Sequence, residues 1–585
     1  MTGTALTWQR LRDLTPADFE AAGNRWHAVS NRAAADAVRV GQALTAPLRE
    51  TQRGEAATAA VRRLERLRRN YEYVRTECGL VRTTLNGLAT DLAEPQRRLR
   101  QALDEAAELR FTVHPDGSVA YPASTVDTLL GSQDTPAGRA DGRGALPLDL
   151  APGPAVRPLN PHADKAQALA DSIARAVRAA VEIDARYART LHGLRAAKGL
   201  DVTQAVLADV RRDAADVRAT ARDYLVGLIP YEGSPAERKA WWDALPDEQR
   251  QEFLRIAPDL IGDLDGIPAT IRDQANRTYL PILMAELASR GDPESQTKLE
   301  ALRLIQDRLA QPGGLPMYLL DIGAEGNGRA VVAYGNPDTS RHVATYVPGL
   351  GTKLDAEFVE DTMVRAEDTA LGAQDIDPSS ASIIWLGYDA PLSADVASTG
   401  DADRGAPAYN SFMSGLTATN EAGNPHFTAI GHSYGSLTVG TAARQSGGIP
   451  GVDDIILLGS PGVGVQKAED LGVGRDHVFV GAAENDPVTH LPAKDEALLA
   501  GPGAVIYGDV YDKNNDDLYF GKDPSSEAFG AQRFKTDPGP MPVMELGGFQ
   551  AHSQYFTPGL DSESASNIAR VVGGTSHRVT EEERR

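Results

Sequence analysis

A single cysteine, Cys78, stands in the 585-residue chain, so no intramolecular disulfide can staple it. Nowhere does an apolar run reach the roughly 18 residues needed to cross a bilayer. Met1 to Glu20 has no basic segment followed by an apolar one, which excludes a Sec-type signal peptide. The expectation is a cytoplasmic protein, the alternative being one secreted without a cleaved signal peptide. No Cys/His cluster suits zinc, no Gly-Lys-Ser/Thr loop suits a phosphate, and no G-x-G-x-x-G follows a strand. The expected chemistry therefore uses no cofactor and no metal. Cation is also in short supply. Lys+Arg number 59 against 81 Asp+Glu, a net charge of −22, which repels phosphate backbones and excludes nucleic acid as the default partner.

What is present divides along the chain. Residues 1–110 hold 18 Arg, no Lys and 14 Asp+Glu, so a mildly basic front precedes an acidic remainder. Thr15-Pro16-Ala17-Asp18 opens a first helix with a Thr cap, a first-turn Pro and a dipole-favourable acid. In a second helix Leu64, Leu67, Tyr71, Val74, Cys78, Val81, Leu85, Leu88 and Leu92 step by three and four. That 3.5-residue period is a coiled-coil seam, and Thr51–Glu55 is the turn of an antiparallel hairpin. The seam could pair with a partner helix or a second copy, and Cys78 within it reads as a packing residue. The domain reading is 1–121 for this hairpin with a small β-hairpin turning at Pro115-Asp116-Gly117. A Pro/Gly-rich linker follows at 122–161, then a helical region at 162–229. A helical lead-in, 230–315, contains Trp241-Trp242, read as a packing anchor. The catalytic candidate is 316–560, with a polar tail at 561–585.

From Pro316 the grammar changes to short β-branched runs between Gly-rich turns and helical segments. Strands are expected at Met317–Ile322, Ala330–Tyr334, His342–Val347, Ser382–Leu386, Phe427–Ile430, Asp454–Leu458, His477–Gly481 and Val543–Leu546. This alternation predicts an α/β fold with a mostly parallel sheet covered on both faces, preceded by all-α regions.

Gly431-His432-Ser433-Tyr434-Gly435 lies between a strand and a small-residue helix. In that context G-x-S-x-G places a Ser hydroxyl on a tight turn, with Gly431 and Gly435 relieving crowding and a helix N-terminus behind it. A Ser hydroxyl needs a base and an orienting acid, which on such a sheet follow in the order acid, then His. The loop after His477–Gly481 supplies Asp486, with Glu484 as its rival. Gln550-Ala551-His552-Ser553 supplies His552. His577 has no strand before it, His490 sits in the acid loop itself, and His432 belongs to the turn. Oxyanion donors are expected at the backbone N–H of Tyr434 and of Leu350, the latter within Pro348-Gly349-Leu350-Gly351 after an early strand. Asp512–Asp517 alternates oxygen ligands like a calcium loop, but its sixth position is Asp517 instead of Gly, so it reads as a solvated acidic loop. Ala390–Asn420 and Asp509–Lys535 are the lid segments.

Pro348–Gly351, Gly431–Gly435, the Gly481–Val488 loop, Phe520–Pro524 and His552–Phe556 together resemble the actinobacterial α/β-hydrolases of a domain of unknown function, the DUF1023 group. The resemblance covers about Tyr231 to Thr557 and implies an α/β-hydrolase fold with Ser433, Asp486 and His552 as triad. The first 120 residues are more loosely similar to the helical hairpins of WXG100-like proteins exported by type VII secretion. Tyr73-Val74-Arg75-Thr76-Glu77 has the export signal's tyrosine-to-acid spacing, but it stands mid-helix, and no Trp-x-Gly occupies the turn. The leading expectation is a serine hydrolase, esterase- or lipase-like (EC 3.1), acting on a small-molecule ester or related acyl bond. The alternative is a helical secretion or partner-docking protein whose hydrolase domain is secondary.

Overall fold

The computed structural model describes residues 6–128, 131–142, 160–194, 202–392, 398–494, 516–541 and 549–585. The chain packs as two compact units, Met1–Ile229 and Pro230–Arg585.

The first unit is built on two helices, α1 (Pro16–Arg39) and α2 (Glu55–Glu108). A π-helical turn, Val40–Thr45, and a short helix, Ala46–Thr51, extend α1, and Gly54, at φ 98°, opens the turn into α2. Two more helices, α3 (Ala163–Gly193) and α4 (Gln204–Thr220), pack against α2. Because α2 has neighbours on several sides, burial does not follow the heptad seam. Cys78, Leu88 and Leu92 on the seam are buried and Leu67 is exposed, while Leu80 and Thr84, off the seam, are fully covered. The Cys78 thiol is pushed up to about 11 by burial and by the neighbouring Glu77, which suits packing and not nucleophilic attack.

The stretch read as a linker carries strands. Gly138–Ala140 adds to the hairpin expected around Pro115-Asp116-Gly117, which is Thr112–Val113 paired with Val119–Tyr121, and Ser124–Thr128 pairs with Gly131–Thr135 as a second hairpin. Cross-strand bonds from Thr125 to Asp134 (2.8 Å) and Ser132 to Asp127 (2.6 Å) hold that hairpin. Its polar residues leave no apolar alternation to read. Residues 143–159 of the predicted linker lie outside the described residues.

The second unit is an eight-stranded sheet: β1 (Met317–Gly323), β2 (Arg329–Tyr334), β3 (His342–Val347), β4 (Ser380–Leu386), β5 (His426–His432), β6 (Val452–Leu458), β7 (Val478–Gly481) and β8 (Gln532–Phe534). Its order is β8-β7-β6-β5-β3-β4-β2-β1, with β2 antiparallel to both its neighbours, β1 and β4, and the remaining pairs parallel. The mostly parallel α/β prediction holds. Both faces are covered, because neighbouring residues of one strand enter different cores. Ile383, Ala429 and Ile455 join one cluster, and Ile384, Ile430 and Ile456 the other. Helices α5 (Met363–Ile376), α6 (Gly400–Thr419) and α7 (Tyr434–Ala443) connect the strands.

The lead-in helices brace the sheet edge. Arg272 and Asn276 donate to Leu320 O and Leu319 O, Asp273 accepts from Leu319 N–H, and Arg277 donates to Met317 O, so the open side of β1 is occupied. Trp242 is buried and Trp241 lies edge-on to Phe253, in keeping with an anchor.

Two expectations need correction. The eighth strand is Gln532–Phe534, inside the segment read as a lid. It is three residues long with Gln and Arg half-buried beside one buried Phe, too short to show a period. The expected strand Val543–Leu546 lies outside the described residues, as do parts of both lid segments and Asp512–Asn515. The polar tail contains α8 (Ser562–Val572), whose Ile568, Val571 and Val572 enter the second core. Their spacing of three and four is helical, and Asp561 caps the helix by accepting from Ser564 N–H. If α8 is part of the core, Ile568→Ala will cost about 2–4 kcal/mol of stability by urea denaturation. A solvated tail would give a change within about 0.5 kcal/mol.

Candidate active site

At the end of β5 the backbone reverses at Ser433 with φ 55° and ψ −131°, a conformation a non-glycine residue rarely holds. Packing enforces it. Gly431 is paired with Val347 on one side and Leu457 on the other. A Cβ on Gly435 would lie 2.1 Å from Val347 O, and one on Gly431 would lie 2.5 Å from Ser436 Cα. Only glycine lets the start of α7 cross β3 this closely. Ser433 N–H donates to Leu458 O at 2.9 Å, tying the turn to β6.

Asp486, in the loop after β7, is fully buried. His552 Nδ1 lies 3.0 Å from both its carboxylate oxygens, Tyr555 Oη donates to Oδ2 at 2.6 Å, and Val488 N–H donates to Oδ1 at 2.9 Å. Burial pushes this carboxyl up, but the His552 ring and the donated hydrogen bonds outweigh it and hold Asp486 below the usual carboxylate range. Glu484, the rival, is exposed to solvent. His490 bonds Glu484 O instead, and His577 is exposed.

The His552 side of the site reaches the turn through His432. His432 Nε2 donates to His552 O at 2.7 Å, and the two rings are 4.6 Å apart. A Cβ on Gly459, at the end of β6, would lie 2.7 Å from Asp486 Oδ2 and 2.8 Å from His552 Nδ1. The Pro348–Gly351 segment runs over the same turn: a Cβ on Gly349 would lie 2.7 Å from Ser433 Cβ and 2.9 Å from the Tyr434 nitrogen. Tyr434 is the first residue of α7, whose N–H has no intrahelical acceptor. Leu350 follows Gly349 with its side chain exposed.

Ser433, Tyr434, Asp486, His552 and the Gly349–Leu350 segment therefore meet at the C-terminal edge of neighbouring strands. Two further residues that brace the site were not singled out by the sequence. His432 was legible only as the variable position of the turn, and Tyr555 only as a neighbour of His552. Tyr555 Oη also accepts from Ala483 N–H at 3.0 Å, so one hydroxyl bridges the acid to its own loop. Among the described residues no group of three His, Cys, Asp or Glu is placed to hold a metal ion. No helix there is long and apolar enough to cross a membrane.

A buried Ser on a positive-φ turn above a parallel sheet, beside a His–Asp pair, defines the class: this is an α/β hydrolase domain. The family described as "Alpha/beta hydrolase" matches residues 323–496, a segment that contains Gly349–Gly351, Ser433 and Asp486 and stops short of His552. An uncharacterized protein of Mycobacterium bovis, Mb0988c, is 36% identical over 218 residues, covering 36% of this chain and 80% of that protein. The chain belongs to the family it shares with that protein. Rv2079, an uncharacterized protein of Mycobacterium tuberculosis, is 28% identical over 379 residues, which span 59% of this chain but only 56% of that relative. Among solved structures, a Pyrobaculum calidifontis esterase aligns with 14% identity, TM-score 0.26, over 51% of this chain and 98% of its own. A thermostable carboxyl esterase from Bacillus coagulans aligns with 11% identity, TM-score 0.16, over 25% of this chain and 44% of its own. Neither superposition is close, and the fold assignment stands on the sheet order and the family match.

Two histidines set opposing pH dependences. Burial, with His552 and Arg365 adding, holds His432 well below the ordinary imidazole value. Burial would lower His426 too, but Asp454, at 2.8 Å, and Asp453 outweigh it and raise it. Below about pH 6.5 the unfolded chain takes up a proton that folded His432 refuses, so its contribution is lost as pH falls. The His426 contribution is complete below that value and lost as pH rises through its raised one. Urea midpoints measured from about pH 7.5 to 5.5 should fall less steeply for His432→Gln than for the parent, and more steeply for His426→Gln.

Proposed function

We propose that the chain is a serine hydrolase cleaving a carboxylic ester or related acyl bond. The observation that carries this reading is the His552–Asp486 pair set beside a strained Ser433. Ser433 Oγ attacks the acyl carbon while His552 Nε2 takes its proton. Asp486, bonded to Nδ1, holds the tautomer and stabilises the imidazolium. Negative charge growing on the carbonyl oxygen is met by the N–H groups of Tyr434 and Leu350, the former at the positive end of α7. His552 then protonates the leaving alcohol, and a water deprotonated by His552 releases the acid from the acyl-Ser433 intermediate. Tyr555 and His432 act through their neighbours, the first fixing the carboxylate and the second the backbone of His552.

This reading places the chain with the DUF1023-like serine hydrolases and with esterase chemistry of class EC 3.1. The wider relatives are longer than the segment they share with this chain, so a part in the whole protein's activity is proposed for this domain alone.

A fluorophosphonate probe tests it. The parent is expected to be labelled at Ser433, and Ser433→Ala to lose both labelling and ester hydrolysis. Asp486→Asn should lower kcat by about 10³- to 10⁴-fold, because the amide favours the wrong His552 tautomer. Labelling elsewhere, or full turnover in Ser433→Ala, would overturn the assignment.

A second reading concerns the first unit, a partner-docking or self-associating module of WXG100-like character. Trp26 and Val29 of α1 and Leu67 of α2 are exposed, although the unit has its own buried core. If the roles separate, residues 230–585 alone will hydrolyse esters at the parent rate. Turnover lost with residues 1–229 would mean that the helices contribute to the reaction.

A further inference from the structure

Three segments distant in sequence lie near Ser433 or His552, and each presents a large apolar side chain to solvent. Leu350 follows Gly349, where a Cβ would lie 2.7 Å from Ser433 Cβ. Leu392 follows Pro391, whose carbonyl accepts from Gly351 N–H at 2.8 Å, so it lies beside the same loop. Phe549 O accepts from His552 N–H at 3.0 Å, and its ring stands 6.5 Å from the His552 ring. Their exposures are 47%, 50% and 58%. A lone exposed leucine means nothing, but a convergence of them marks a place where apolar surface is covered in use. Here it borders the atoms that would carry the reaction.

Charge narrows what could cover it. Pro230–Arg585 holds 27 Lys+Arg against 53 Asp+Glu, so an anionic group approaches against the field of the whole unit. The charged cavity nearby, about 190 Å³ beside Tyr388, is engaged internally: Arg404 pairs with Asp401, Arg329 with Glu325, and Asp389 accepts from Asn327 N–H.

We propose that the substrate is a neutral ester with an extended apolar acyl chain, received on Leu350, Leu392 and Phe549. This rests on the serine hydrolase reading and adds the substrate class to it. The chain is taken up by burial of methylenes on the rim, and the carbonyl is thereby led to Ser433.

The test uses the full-length protein and 4-nitrophenyl esters from acetate to laurate, with fluorophosphonate labelling in parallel. In the parent, kcat/KM should rise about two- to fourfold per methylene over the chain lengths the rim can cover. The double variant Leu392→Ser/Phe549→Ser should flatten that rise, Phe549→Leu should keep it, and Leu371→Ser, an exposed leucine on α5, should leave it at the parent slope. Hemisuccinate esters should be cleaved at least about tenfold more slowly than neutral esters of equal length, the gap narrowing with salt. A flat or falling chain-length profile in a parent that labels at Ser433 overturns this inference and leaves the serine hydrolase standing. A slope that survives the double variant, or equal cleavage of the anionic esters, also overturns it. No labelling and no hydrolysis of any ester would remove the underlying reading as well.

Discussion

The second unit depends on one crowded crossing. Where β5 ends and α7 begins, the backbone passes so near β3 that a methyl group at residue 435 would lie 2.1 Å from Val347 O. That approach forces Ser433 into a positive φ, aims α7 at the site, and leaves room for Gly349 to run over the Tyr434 nitrogen. Strain of this kind costs roughly 1–3 kcal/mol and survives only where the surroundings over-determine it. Here they do, since β5 is hydrogen-bonded on both sides and sits between two continuous cores.

A second chain of contacts builds the electrostatics. Tyr555 bridges Ala483 N–H and Asp486, Asp486 accepts from His552, and His432 holds His552 by its carbonyl. A carboxylate with no exposed surface would be costly alone, but donors from Tyr555, Val488 and His552 compensate it. The neighbouring His432 stays neutral for the same reason of burial, so it adds no competing charge beside a histidine that must become cationic in the proposed reaction. Residues from β5, β7, the 549–556 segment and the β3 loop all contribute, which makes this edge of the sheet responsive to distant packing changes. The helical unit has its own core around Leu88, Leu92, Leu169 and Ile173.

Much of this was legible in the residues, and the legible part has a common cause. Strands such as His342–Val347 and Ser380–Leu386, buried on both faces, read as β-branched runs between turns. The glycines around Ser433 mark a backbone need that no other residue meets. The order of Asp486 and His552 along the chain follows from where the loops of a parallel sheet emerge. Elements stabilised by contacts distant in sequence were harder to read. Gln532–Phe534 is a strand because β7 offers it an edge, and the 124–135 hairpin is held by side-chain pairs with no apolar period. The α8 helix hides behind its charged flanks. In α2 the heptad seam is real in the sequence, but the neighbours around the helix cover only part of it and bury residues off it as well.

The amino-acid sequence by itself determined the class of fold, the turn holding Ser433, and the order in which an acid loop and then His552 follow it, because local backbone chemistry and chain order dictate these. It also determined the charge asymmetry between the two halves. Only the tertiary structure decided that Asp486 and not Glu484 meets His552, that Tyr555 and His432 brace the pair, and that Pro391 bonds the loop after β3. Each of these is a contact between segments tens to hundreds of residues apart. Such distances are set by how strands stack in the sheet, and a linear pattern does not encode them.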